Sequence, residues 1–476
     1  MLFNSFDFLV FFPIVFIIYW FVLNKNLKYQ NIFLLLSSYV FYAWWDWRFL
    51  LLIIFSSIID YNAAIQISKT QNKNKKKHWL ILSLVINLGL LAVLKYFNFF
   101  SESFSNLFSS IGWQVDTLTL NVILPVGISF YTFQTLSYTI DVYRKEIKPS
   151  KDIIAFFTFV TFFPQLVAGP IERAKNLLPQ FYKKRKINYA FASDGMRQIA
   201  WGLFKKVVVA DNAAIIVNEV FINYQDQSAI NLLIGAIFFA FQIYGDFSGY
   251  SDIAIGTARL LGFDLKQNFA FPYFSRDIAE FWRRWHISLS TWFRDYVYIP
   301  LGGSKGSNLN KIKNTFIIFL VSGLWHGANW TFIFWGLLNA LYFLPLLISN
   351  RNRSHINIVA ENSIFPNIKD FIKILFTFFI TVLAWVFFRA PSIEIAFEYI
   401  FKIFNKSLFQ FPSVDIKPFL FITILIIFEW INRKKQHGFA IDNIKLLPIR
   451  WILYIFVFCL ILLFHASSQP FIYFQF

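Results

Sequence analysis

The chain has 476 residues, of which 57% are hydrophobic and only 15% charged, with 64 phenylalanines. So little charge excludes a soluble protein of this length and predicts an all-α, polytopic membrane protein. The net charge of +18 does not point to nucleic acid. The basic residues fall in short loops between apolar segments, where they orient helices and meet anionic lipid. A single cysteine, Cys459, excludes an internal disulfide and, within an apolar run, reads as an inert packing residue.

In chain order, the first apolar segment, Phe8–Leu23, has no basic region before it and no A-x-A cleavage site, and reads as a retained helix. Spans at Asn31–Trp45 and Phe49–Ile65 flank Trp44, Trp45 and Trp47, whose composition is that of an interfacial aromatic belt. Five lysines follow between Lys69 and Lys77, then a span at Leu80–Phe97 and a segment, Phe99–Leu120, without Lys or Arg. The excess of cytoplasmic Lys and Arg in membrane proteins places the lysine loop inside, the next segment outside and the N-terminus outside. Val122–Ile140 then returns to a basic inner loop. Ile153–Gly169 is apolar but holds Pro164 and Gly169 between two basic loops, so it reads as a re-entrant or interfacial hairpin.

Gly195–Val220 forms the next exit, with Lys205 and Lys206 read as snorkelling to the interface. Ile230–Ile255 comes back in, carrying Gly245 and Gly249 as a close-packing pair and Asp246 and Asp252, which packing alone does not explain. Thr315–Ile348 goes out and back, Phe371–Phe388 exits, Phe419–Trp430 re-enters and Ile452–Phe464 exits. Lys402 and Lys406 in the outer segment Pro391–Asp415 break an otherwise regular charge pattern. The sum is roughly 11 spans plus re-entrant pieces, forming one membrane-embedded domain over residues 1–476 with a core at about residues 120–350.

The chemistry concentrates between Arg276 and Trp330, which holds His286 and His326 among tryptophans. An ionisable group at membrane depth marks a functional site by default. Ile278, Phe281, Trp282, Trp285, Leu289, Trp292, Phe293 and Tyr296 recur at steps of three and four, predicting one amphipathic helix over Arg276–Pro300. Glu280 and Arg284 form a favourable pair on its polar face. His286 lies at the edge of the apolar stripe, which leaves open an interfacial histidine satisfied by its neighbours or a working one. His326 is near the middle of 34 residues that would need about 40 for two crossings, so the hairpin is expected to turn inside the membrane with His326 at its apex. A partly desolvated, neutral imidazole there suits a general base, against the alternative of a buried histidine closing a turn. His78, His355 and His437 lie in polar loops and His465 ends the last span. There is no G-x-x-x-x-G-K-[ST], no G-x-S-x-G elbow and no metal-ligand spacing, so no metal is expected.

RRWHISLSTWFRDYVYIPLGG and SGLWHGANWTFIFWG resemble the membrane-bound O-acyltransferase family, in particular its alginate O-acetyltransferase branch. LPVGISFYTFQ, FPQLVAGPI and YGDFSGYSDIAIG are similar to the same branch, and the D-alanyl transfer proteins of teichoic-acid modification are more distant relatives. The resemblance implies an O-acetyltransferase of the bacterial inner membrane that takes acetyl-CoA from the cytoplasm. It further implies an acceptor reaching the site from outside through a funnel, with His326 as the central family histidine and His286 as the second. Alginate-like exopolysaccharide and peptidoglycan systems share these motifs, so the acceptor polymer is not specified. The outer segments are too short to form a polymer-binding domain, which predicts a periplasmic or membrane-anchored partner that accepts the acetyl group. A transporter with a histidine proton relay would be expected to show internal repeats, and none is visible. A scaffold for partner enzymes would be indifferent to replacement of His326.

Overall fold

The computed structural model describes residues 1–120, 124–167, 169–467 and 469–472. Every regular element among them is helical, with no strand. Five helical stretches are long and apolar enough to cross a membrane: Trp47–Lys69, Lys73–Ser110, Ala229–Leu260, Trp330–Ile348 and Ile368–Arg389. Shorter apolar helices at Phe6–Val22, Ile153–Leu166, Pro418–Ile431 and Leu447–Leu463 join them. The chain is a multi-pass, all-α membrane protein.

Two compact units divide the chain, residues 1–189 with 258–265, and residues 190–257 with 266–476. The first contains α1 (Phe6–Ile17), α2 (Leu27–Ala43), α3 (Trp47–Lys69), α4 (Lys73–Leu91), α5 (Phe97–Ser110), α6 (Ile128–Tyr143), α7 (Ile153–Thr161), α8 (Phe163–Leu166) and α9 (Ala174–Leu177). Asp46 starts α3 by accepting from the Arg48 N–H, and Asn72 starts α4 by accepting from Asn74 and Lys75. Trp44, Trp45 and Trp47 are all exposed, as an interfacial belt would be. The sequence reading ended the fourth span at Phe97. Instead α4 continues through a short π-helical stretch into α5, and the chain turns only after Ser110. Asn98 then exchanges two hydrogen bonds with the Leu120 backbone, folding the following segment back along α5. Asp60, fully buried in α3, is held by neutral donors alone: Ser83 Oγ, Asn87 Nδ2 at 3.0–3.2 Å and Thr139 Oγ1 at 3.2 Å. These bonds tie α3, α4 and α6 together. Val122, where the next span was expected to begin, lies outside the described residues. The apolar stretch after Ile153 breaks at Phe162 into α7 and the four-residue α8. At 1.5 Å per residue, nine residues cover about 14 Å, so neither piece crosses a bilayer.

The second unit holds α10 (Tyr189–Leu203) from Ala190 onward, α11 (Asp211–Ile222), α12 (Ala229–Leu260) as far as Thr257, α13 (Ile278–Arg284), α14 (Ile287–Phe293), α15 (Asn308–His326), α16 (Trp330–Ile348), α17 (Ile368–Arg389), α18 (Ile393–Ile403), α19 (Pro418–Ile431) and α20 (Leu447–Leu463). Small residues let its backbones touch. A Cβ on Gly249 would sit 2.7 Å from the Gly202 carbonyl oxygen, and one on Gly245 would sit 2.8 Å from that of Lys205. The expected Gly245/Gly249 pair is therefore a real contact of α12 with α10 and its continuation, and Gly256 extends it to Gly195.

Between α10 and α11 the chain forms a seven-residue π-helix, Phe204–Ala210. Here the expectation of snorkelling lysines fails. Lys205 and Lys206 are buried, and turn inward to carboxylates. Lys205 Nζ lies 2.5 Å from Asp252, and Lys206 Nζ lies 2.8 Å from Asp211 and 2.7 Å from Asp246. Tyr244 donates to Glu429 of α19 at 2.8 Å in the same region. Desolvating two lysines is costly unless they are paired, and here both are. Residues after α20 close this network: Lys206 Nζ donates to the Gln469 carbonyl at 3.1 Å, and the Ile472 N–H donates to Asp246 at 2.7 Å. Cys459, expected as a packing residue, is exposed on α20. His437, expected to be an ordinary loop residue, is buried, with Nε2 3.1 Å from Asp194.

Candidate active site

His326 is the last residue of α15, and only Gly327–Asn329 separates it from α16. Asn329 caps α16 by accepting from the Thr331 N–H at 2.9 Å. The two arms pack without space for side chains at Gly323, where a Cβ would lie 2.3 Å from the Phe332 carbonyl oxygen, and at Gly336, 2.4 Å from that of Phe319. The apex position of His326 matches the sequence reading, but the length argument behind its depth does not hold. α15 starts at Asn308, so each arm has 19 residues, about 28 Å, close to a full bilayer core.

The imidazole of His326 is buried in an aromatic cage, with ring centroids at 5.0 Å to Trp325, 5.2 Å to Trp335 and 5.3 Å to Phe388. Trp385 backs this cage, stacking on Trp335 at 5.5 Å and meeting Phe388 at 5.2 Å. Both α17 residues were missed from sequence. They lie in an apolar span where aromatic residues are unremarkable, and nothing local marks them.

His286 also differs from expectation. The predicted continuous helix is broken at Trp285–His286, and His286 adopts left-handed backbone geometry (φ 43°, ψ 55°). Few non-glycine residues tolerate that region, so surrounding bonds hold it there. The Ala270 N–H donates to the Arg284 carbonyl at 2.9 Å, and the Ile287 N–H donates to the Asn268 carbonyl at 2.8 Å. Glu280 clamps the preceding helix, bonding Arg276 at 3.0 Å and Arg284 at 2.8 Å, the latter being the pair expected from spacing. The His286 ring is fully buried rather than interfacial, 4.6 Å from Phe247 and 6.1 Å from Trp325. Trp325 thus lies against both histidines.

Asn268 fixes the state of His286. Its Oδ1 accepts from the Ser288 N–H at 3.2 Å and from Ser288 Oγ at 2.9 Å, while its amide nitrogen donates to Ser251 Oγ at 3.1 Å. A backbone N–H donor identifies that atom as oxygen. His286 Nδ1, 3.1 Å away, therefore carries the proton it shares, and Nε2 carries the lone pair. Burial, reinforced by the nearby His326, holds the His286 imidazole well below its usual pKa and hence neutral. Asn268 was also missed: it sits in a loop, 18 residues before its partner, without a recognisable spacing.

Beside this centre lies an apolar cavity of about 230 Å³. Its walls include Trp282, Leu289, Phe319 and Ser322, the last one helical turn before His326, and Arg294 and Arg353 also line it. Trp282 connects it to the cage, donating to Asn339 at 3.2 Å and meeting Trp335 edge-on at 5.6 Å.

A fold of apolar helices with two buried histidines on one aromatic lattice fits acyl transfer in a membrane, and comparison with known proteins decides it. The family model described as MBOAT, membrane-bound O-acyltransferase family, matches residues 41–389. The chain belongs to this family. It is 35% identical over 474 residues to the probable alginate O-acetylase AlgI of Pseudomonas putida, covering 94% of this chain and 95% of that one. It is 38% identical over 416 residues to the probable alginate O-acetylase AlgI of Pseudomonas aeruginosa, covering 87% and 77%. It is also 38% identical over 400 residues to the peptidoglycan O-acetyltransferase of Helicobacter pylori, covering 79% and 73%. The protein is an acyltransferase.

Proposed function

We propose that this acyltransferase moves an acetyl group from acetyl-CoA, taken from the cytoplasmic side of a bacterial inner membrane, to a hydroxyl on the outer side. The similarity to proteins named for alginate and peptidoglycan acetylation supports a sugar hydroxyl of a cell-surface polysaccharide as the final acceptor. The observation that carries the reading is the pair of buried histidines sharing Trp325 at the end of a closed helical hairpin. His326 is the general base. It removes the proton of the incoming hydroxyl as the oxygen attacks the thioester carbonyl. The carbon–sulfur bond breaks, and the same proton passes to the departing thiolate, so ester and thiol form with no net proton change. His286 presents a neutral imidazole beside it, its orientation fixed by Asn268, and its Nε2 lone pair favours the positive charge that His326 acquires while it holds the proton. The apolar cavity lined by Leu289, Phe319 and Ser322 suits the thioester arm of the donor, and Arg294 and Arg353 suit its phosphates.

No described outer segment forms a domain able to hold a polymer, so a periplasmic or membrane-anchored partner receives the acetyl group and passes it on. The test is the purified protein in proteoliposomes with labelled acetyl-CoA, acceptor polymer and the partner. His326→Gln keeps hydrogen bonding but removes basicity, and should lower transfer by about 10²–10⁴-fold while insertion is unchanged. Near-normal turnover in that variant refutes the base role. Efficient polymer acetylation without the partner refutes the relay.

A further inference from the structure

A second cavity, of about 490 Å³, lies in the first unit and takes no part in the chemistry above. Its volume falls within the range of roughly 300–1,000 Å³ typical of small-molecule sites. Lys148 and Lys151 from the α6–α7 connection and Lys175 from α9 converge on it. None of the three ammonium groups forms an ion pair among the described residues. The one carboxylate in the lining, Asp152, is already engaged, accepting from the Ile154 and Ala155 N–H groups at the start of α7.

The cavity is built rather than incidental. The Ser150 N–H donates to the buried Tyr138 hydroxyl at 2.9 Å, and Ser150 Oγ lies 2.7 Å from the Tyr182 hydroxyl. The Lys151 carbonyl accepts from Tyr61 at 3.2 Å. Pro149 and Pro179 stiffen two further positions of the lining. Three lysines against the single carboxylate of Asp152 leave the lining net positive over a fixed polar floor, which favours a multiply hydrogen-bonding anion, the chemistry of a phosphate.

The surroundings select a lipid. Ile147, Leu178 and Pro179 give the cavity apolar walls, and Ile153, Ile187 and Tyr189 of the same unit are exposed nearby in sequence. Exposed aliphatic and tyrosine side chains beside lysines are the composition of a headgroup-level surface. We propose that this cavity binds the phosphate headgroup of an anionic phospholipid, with Lys148, Lys151 and Lys175 as its cationic ligands. The lipid would fasten the short, broken α7–α8 region of the fold to one leaflet.

The experiment is native mass spectrometry of the full chain released from micelles containing phosphatidylglycerol and phosphatidylcholine in equal amounts. The wild type should retain phosphatidylglycerol preferentially. The triple variant Lys148→Gln, Lys151→Gln, Lys175→Gln should retain it on the order of 10–100-fold less, because each near-surface lysine adds attraction to anionic lipid. The triple arginine variant should retain it fully. Equal retention by wild type and the glutamine variant overturns the site. Displacement of the lipid by millimolar inorganic phosphate or a nucleoside bisphosphate would show a soluble anion to be the ligand, and overturns the lipid assignment.

Discussion

Asn268 does more for the candidate centre than its modest side chain would indicate. It holds His286 in one tautomer, engages the Ser288 backbone and is itself held by Ser251. Asn268→Ala should leave the protein folded but lower the turnover number by about 10–100-fold, the usual cost of losing a positioning partner behind a working imidazole, with little change in donor KM. Asn268→Asp retains the acceptor and adds a negative charge. That charge favours the imidazolium, so the His286 pKa rises and the neutral form is lost at higher pH. The acidic limb of the pH–rate profile should therefore move upward from a wild-type position below the ordinary histidine value of about 6.5. An unchanged limb in the aspartate variant, or unchanged turnover in the alanine variant, refutes the positioning role. At this scale the histidines were legible in the sequence, because ionisable groups among tryptophans in an apolar chain stand out. Asn268, Trp385 and Phe388 were not, because an asparagine in a loop and aromatics in a span carry no local signal.

Among elements, the hairpin of α15 and α16 depends on backbone contact. Gly323→Val would drive a side chain into the Phe332 carbonyl, 2.3 Å from even the first carbon, with no flexible group able to yield. The expected result is loss of activity together with a clear fall in the melting temperature of the purified protein. A variant with wild-type thermal stability would mean the arms separate readily. The hairpin could be read from sequence because the basic loops on its two flanks and the glycines at its turn are local signals, whereas its depth, argued from apolar length, could not. The break at His286 could not. Periodicity runs unbroken from Ile278 to Tyr296, and what interrupts the helix is a pair of backbone bonds from Asn268 and Ala270, residues outside the window that periodicity surveys. Lys205 and Lys206 fail for the same reason, since Asp246 and Asp252 reach them from α12 rather than from their own helix.

For the whole molecule, the alternation of basic and base-free loops predicts that Lys69–Lys77 faces the cytoplasm, the side from which the proposed donor would enter. Lys402, one of the two lysines that break the pattern in the outer segment Pro391–Asp415, donates to the backbone carbonyls of Tyr224 and Gln225, at 3.2 Å to Tyr224. With exposed Cys459 replaced by serine, a cysteine at Asn74 should react with a membrane-impermeant maleimide only after cells are opened. Labelling of intact cells would invert the map and refute the proposed cytoplasmic entry of the donor.

The docking of residues 469–472 onto Lys206 and Asp246 has a consequence for how the chain is made. Asp246, paired early with Lys206, waits for its second bond partner 226 residues further along, beyond the last helix. During synthesis, the π-helix and α12 enter the membrane with two lysines and several carboxylates facing each other, while a remaining amide and carbonyl are still on the ribosome. The charged interior of the second unit is thus completed only after α20 has been inserted. Quality control that samples half-made membrane proteins would meet this unfinished polar interior throughout the 226 residues of translation that separate Asp246 from Ile472.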